Sequence, residues 1–141
     1  MKASDTVRDF FEHYEKALNE FDVDSLSQKY ADSFIFAGVK GEQAVKRDDF
    51  LKAIPKRQEF FKTIGLTSTK IHSLEETRLD DRCILVKAHW IMRFEKASKP
   101  PITDNNSATY LLHQKDSSLR IVFQLDHQDL MKKAQDLGLL P

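Results

Sequence analysis

Three features of this 141-residue sequence predict an α+β fold with helices packed on one face of a curved antiparallel sheet. Apolar residues recur at helical spacing through the opening segment. From Leu66 onward the pattern changes to long runs rich in β-branched and aromatic residues. Short polar breaks separate those runs, so successive strands fold back on one another as a meander. A sheet curved around helices leaves a hollow at its wide end, where a small molecule is expected to bind.

The elements follow in chain order. Ser4 or Asp5 can cap a first helix whose apolar residues fall at Val7, Phe10, Phe11, Tyr14, Leu18 and Phe21. This is the i, i+3, i+4, i+7 rhythm of a single buried stripe, ending near Phe21 or Asp22. Asp24 is expected to cap a second helix, Ser25 to Ala31, that turns Leu26 and Tyr30 inward. SFIFAGV, Ser33 to Val39, reads as a first strand closed by Gly38 and Gly41. Asp48 or Asp49 starts another helical stretch, which Pro55 kinks or restarts before it runs to Gly65. TSTKIHSLEETRL and CILVKAHWIMRFE then form a hairpin about Asp80, Asp81 and Arg82. KASKPPITDNNS reads as a loop, because Pro, Asn and Asp punctuate it. ATYLLHQ and LRIVFQLD form a second hairpin about Lys115 to Ser118. A last helix over 129–138 stops at Gly138. One domain spanning 1–141 is expected.

Composition narrows the function classes. The chain is 40% hydrophobic and 31% charged, as in an ordinary soluble globule. Lys plus Arg equal Asp plus Glu at 22 each, without the basic excess of a nucleic-acid binder, so no nucleic-acid partner is expected. Neither a secretory h-region nor a run of membrane-spanning length is visible, so no membrane partner is expected and a cytoplasmic location is the default. Cys83 is the single cysteine; it opens an apolar strand and reads as a small buried hydrophobe. Ten phenylalanines must fill a core or line a cavity.

The run YEKALNEFDVDSLSQKYADSFIF, with its helix, Asp elbow and aromatic strand, and the closing hairpin LLHQKDSSLRIVFQLDH together resemble the nuclear transport factor 2-like superfamily. The resemblance extends to roughly Gln128. It implies a cone-shaped, cystatin-like roll in which the curved sheet wraps around the N-terminal helices. Relatives include ketosteroid isomerase and polyketide cyclases, so the resemblance specifies fold better than function. In the isomerase a tyrosine and a protonated aspartic acid stabilise an enolate while another Asp acts as base. Tyr14 aligns with that tyrosine. The base position falls on Gly38 and the protonated-acid position near Thr109 or Leu111, none of which can serve. A steroid isomerase is therefore not expected.

Strand parity selects the pocket candidates. Phe34, Phe36 and Gly38 share one face, which the resemblance puts inward; Trp90, Met92 and Phe94 share another by bulk and apolarity. On the last strand strict alternation sets Ile121, Phe123, Leu125 and His127 against Val122, Gln124, Asp126 and Gln128. Hydrophobicity alone would turn the first set inward. The resemblance instead turns Gln124 and Asp126 toward the cavity and leaves Ile121, Phe123 and Leu125 as a homodimer contact on the outer sheet face. A carboxyl among rings has a raised pKa and can exchange protons near neutrality. Tyr14 as hydrogen-bond donor to an oxyanion and Asp126 as base or acid are thus the catalytic candidates, with Tyr30, Phe34, Phe36, Trp90, Met92, Phe94 and Gln124 around the ligand. The plainer alternatives are a core tyrosine bonded to a neighbouring carbonyl or water, and an Asp that pairs an arginine or caps the last helix.

The five histidines include no pair at metal-ligand spacing, although His89, His113 and His127 lie on successive strands. No metal and no cofactor are expected. The functional expectation is an unidentified apolar small molecule bound in the cavity, with cofactor-free isomerase, dehydratase or cyclase chemistry if the protein is an enzyme. The alternative is a non-catalytic ligand-binding or dimeric interaction module.

Overall fold

The computed structural model describes residues 3–141; residues 1 and 2 of the expected domain lie outside the described part. The chain runs α1 (Asp5–Glu20), α2 (Val23–Ser27), β1 (Tyr30–Gly38), β2 (Gly41–Lys46), α3 (Arg47–Lys52), α4 (Ile54–Ile64), β3 (Leu66–Arg78), β4 (Cys83–Phe94), β5 (Ile102–Lys115), β6 (Ser118–Asp126) and α5 (Leu130–Asp136). The strands form one six-stranded, curved and unclosed sheet in the order β2-β1-β6-β5-β4-β3. All neighbours are antiparallel except β1 and β6, which run parallel. The meander starts at one edge with β3 and works back until its last strand lies beside the first.

Ser4 caps α1 by accepting the Val7 N–H, and Val7, Phe10, Phe11, Tyr14 and Ala17 form its buried stripe. That stripe packs on Ile84, Val86, Ala88, Trp90, Tyr110, Leu112 and Ile121 from the sheet, which makes the main core. A smaller core joins Ile64, Met92 and Phe94 to Ala134 and Leu139 under α5.

Several expectations need correction. Asp22, not Asp24, caps α2 through Ser25, and α2 stops at Ser27 instead of reaching Ala31. The chain is already extended at Tyr30, where β1 joins β6: the Ile121 N–H donates to Lys29 O at 2.8 Å. Strand β2 had no sequence signal, because GEQAVK is almost wholly exposed and lacks an apolar face; it forms by pairing with β1. Residues 102–107, read as loop, are the first half of β5. Their backbone pairs with β4 from Phe94–Ile102 to Trp90–Asn106, and pairing against a formed strand overrides the weak β-propensity of Asn and Asp. Cys83 is half-buried rather than buried.

The decisive irregularity is in β6. Leu111 pairs with Phe123 and Leu112 with Ile121, so Val122 is an extra residue, a bulge. Alternation is reset there. Ile121 is fully buried in the core, whereas Gln124 and Asp126 point to the same helix-covered side. Ile121 therefore does not belong with Phe123 and Leu125 on the outer face: it faces the core before the bulge, and Gln124 and Asp126 face the cavity after it.

Candidate functional site

Between the helices and the sheet lies a cavity of about 430 Å³. Its sheet wall comes from β4, β5 and β6 through Trp90, Met92, Asn106, Ala108, Tyr110, Gln124 and Asp126. Its helical wall comes from α1 and α4 through Tyr14, Leu18, Lys56, Arg57, Phe60 and Phe61. Parity on the strands explains the selection: Ala108 pairs with Asp126 and Tyr110 with Gln124, so the same face of β5 and β6 is turned inward. Phe21, in the left-handed conformation that ends α1, packs its ring 5.7 Å from that of Phe61 and closes one side.

Tyr14 and Asp126 are joined by a hydrogen-bonded chain. The hydroxyls of Tyr14 and Tyr30 lie 2.6 Å apart, Tyr30 donates to Gln124 Oε1 at 2.9 Å, and Gln124 Nε2 donates to Asp126 Oδ1 at 3.1 Å. The direction follows from proton counting. A phenol has one proton, and Tyr30 spends its own on Gln124, so Tyr14 must be the donor to Tyr30. Every bond then points toward the carboxyl. The Tyr14 proton is thus committed within the fold and is not available to a ligand oxyanion while the chain is intact.

Burial drives the electrostatics. It holds the hydroxyls of Tyr14, Tyr30 and Tyr110 well above the ordinary phenol range, so all three are neutral donors at physiological pH. It also raises the Asp126 pKa, against the lowering effects of the Gln124 hydrogen bond and the charges of Arg57 and His127. The Tyr110 hydroxyl lies beside Tyr14 and Trp90, whose hydrogen bonding lowers its pKa, though burial outweighs that effect. Like Tyr14, Tyr110 lines the cavity directly.

The remaining expected residues divide. Trp90, Met92 and Gln124 line the cavity with Tyr14 and Asp126. Tyr30 is buried one step behind the wall, joined to the site by its hydroxyl. Phe34 and Phe94 do not line this cavity: Phe34 packs on Tyr30 and Phe50, and Phe94 lies in the smaller core. Phe36 lines a second cavity of about 340 Å³, beneath the β1–β2 turn, which shares Asp126, Gln128 and Leu130 with the first. Asp126 therefore borders both. Sequence reasoning missed Tyr110, Asn106 and Arg57. Alternation in ATYLLHQ could have singled out Tyr110; Asn106 was hidden in the presumed loop, and nothing local marks Arg57.

Asp126 does not cap α5, which Asp129 does, and among the described residues it forms no ion pair. His89 bonds Glu75 on the outer face, where His127 bonds Thr109 at 2.7 Å. Among the described residues, no three His, Cys, Asp or Glu side chains converge as metal ligands. No helix among the described residues is long and apolar enough to cross a membrane.

A family model described as NTF2-like protein (DUF6841) matches residues 3–129, ending where α5 begins. No curated protein matches the sequence. Similar solved structures include Aln2 from a Streptomyces species, at 12% identity and TM-score 0.74, covering 95% of this chain and 99% of that one. An NTF2-like protein with a cystatin-like fold from Novosphingobium aromaticivorans gives 12% and 0.71, over 94% and 86% of the two chains. An NTF2-like protein of unknown function from Shewanella oneidensis gives 18% and 0.68, over 88% and 98%. At these identities the likeness is one of fold.

Proposed function

The chain belongs to the NTF2-like family DUF6841, and from that premise we propose that it binds an apolar, ring-bearing small molecule between helices and sheet and exchanges a proton with it through Asp126. The observation that carries this reading is the one-directional chain from Tyr14 through Tyr30 and Gln124 to a carboxyl on the cavity wall. The chain orients that carboxyl, and burial raises its proton affinity above that of an ordinary carboxyl. In the forward step Asp126 takes a proton from carbon next to a carbonyl. The C–H electron pair moves into the ring system as an enolate, and Tyr110 donates its hydroxyl proton as a hydrogen bond to the oxygen that gains charge. Returning the proton to another carbon completes an isomerisation; expelling a β-hydroxyl, which takes the proton back from Asp126 and leaves as water while the enolate pair forms the new C=C bond, completes a dehydration. Neither needs a cofactor. Tyr14 serves here by positioning, since its proton is held by Tyr30.

Deuterium uptake from heavy water into a panel of ring ketones, followed by NMR, tests the proposal. Wild-type protein should exchange protons next to the carbonyl, and Asp126→Asn should not, with its melting temperature no lower than wild type. Exchange that survives in Asp126→Asn overturns the assignment. Stabilisation by a ketone with no exchange in the wild type favours the second reading, a non-catalytic binding module. That reading draws on the commitment of the Tyr14 proton and on the resemblance, which sets Gly38 and Thr109 or Leu111 where the isomerase has carboxyls. Under either reading we infer a homodimer through the outer sheet face, where Leu111, Phe123 and Leu125 are only half-buried and Ile35 is 38% exposed.

A further inference from the structure

Two polar groups stand on opposite walls of the cavity: a buried acceptor without a hydrogen bond and an exposed cation without an ion-pair partner among the described residues. Asn106 enters from β5, beside Trp90 in the sheet register. Its Oδ1 is shut off from solvent and accepts no hydrogen bond, the costly state for a buried acceptor. Arg57 enters from α4 on the helical wall. Its guanidinium sits over the Phe61 ring, 5.4 Å from the centroid, and no described carboxylate pairs with it or with its neighbour Lys56. The space between is walled by Trp90, Met92 and Phe60, and about 430 Å³ accommodates a small fused ring system.

We propose that the preferred occupant is a ring-bearing hydroxy acid, with its carboxylate at Arg57 and Lys56 and its hydroxyl at Asn106. This rests on the reading that the cavity takes a ring-bearing molecule. A hydroxyl suits Asn106 because, once the amide turns toward the cavity, the hydroxyl donates to Oδ1 and can accept from the amide nitrogen. A carboxylate suits Arg57 because the planar guanidinium, already stacked on Phe61, presents a paired set of donors. An amine is disfavoured at that end, since it would meet two like charges.

Matched naphthalenes test both ends separately by calorimetric titration. The full chain should bind 6-hydroxy-2-naphthoate about tenfold more tightly than its methyl ester and than 2-naphthoate. Arg57→Gln should erase the preference for acid over ester while keeping the preference for the hydroxyl. Asn106→Ala should do the reverse. Arg57 is exposed and Asn106 makes no side-chain hydrogen bond in the fold, so neither change threatens folding, which circular dichroism verifies. Equal affinity for acid and ester, tighter binding of 2-naphthylmethylamine, or preferences unmoved by the two substitutions would overturn the proposal. Uncharged 2-ethylnaphthalene separates the two claims. If it binds while the acid shows no advantage, only the hydroxy-acid assignment fails; if none of the five compounds binds, the cavity reading fails with it.

Discussion

Replacing Asp126 by asparagine removes a charge that burial opposes and keeps the oxygen to which Gln124 donates. The sign of its pH effect follows from linkage. The folded carboxyl holds its proton to a higher pH than the unfolded one, so the native state binds more protons between those two pKa values. Stability is therefore fully present below the unfolded value and is lost as pH rises through the folded one. Asp126→Asn should melt with wild type in acid and above it at neutral and mildly alkaline pH, as a Tm series would record. The two chain tyrosines should differ. Tyr30→Phe strands the Tyr14 donor and the Gln124 acceptor together and should cost about 1–3 kcal/mol in urea unfolding. Tyr14→Phe removes only the first donor, leaves Tyr30 bonded to Gln124, and should cost less. At this scale the sequence was partly legible. Helical spacing and the family resemblance brought Tyr14 and Asp126 forward, whereas the Tyr30–Gln124 connection depends on rotamers that no spacing rule encodes.

Elements were legible where they bury an apolar face. α1 and β4 carry unmistakable periods, 3.6 and 2 residues. β2 and the first half of β5 carry none, because their extended form comes from a neighbour's backbone rather than from their own side chains. The edge strand β3 shows how α1 does more than fill the core. Asn19 accepts from the Thr69 N–H and donates to the Thr69 carbonyl, each at 2.8 Å, and Glu15 accepts from the Ile71 N–H. These bonds occupy backbone groups that a sheet edge would otherwise offer to another chain. Asn19→Leu should destabilise by about 1–3 kcal/mol and increase aggregation on heating, read by light scattering. α5 has a comparable covering role, since Ala134 and Leu139 close the smaller core and Lys96 holds the Leu139 carbonyl at 2.7 Å. A chain cut after Gln128 should lose about 3 kcal/mol or more, bind a hydrophobic dye, and keep most of its far-ultraviolet circular dichroism.

For the molecule as a whole, helices claim one side of the sheet and leave the other to Leu111, Phe123, Leu125 and Ile35. If two copies meet there, Phe123→Lys should halve the mass seen by light scattering without moving the melting temperature of the monomeric fold by more than a few degrees. The order of the layers was readable from the order of patterns along the chain. The assignment of the last strand to one face was not, because strict alternation assumes a ladder with no extra residue. Val122 is that residue. It gives β6 an oily inner stretch at one end and a polar inner stretch at the other, so chain length rather than composition decides what the hollow contains. Shorten the strand by that single position and registry must break one way or the other: isoleucine turns to water, or the acid does. Kin that differ here by an insertion or deletion would keep the architecture while exchanging a hollow that holds a carboxyl for one that does not.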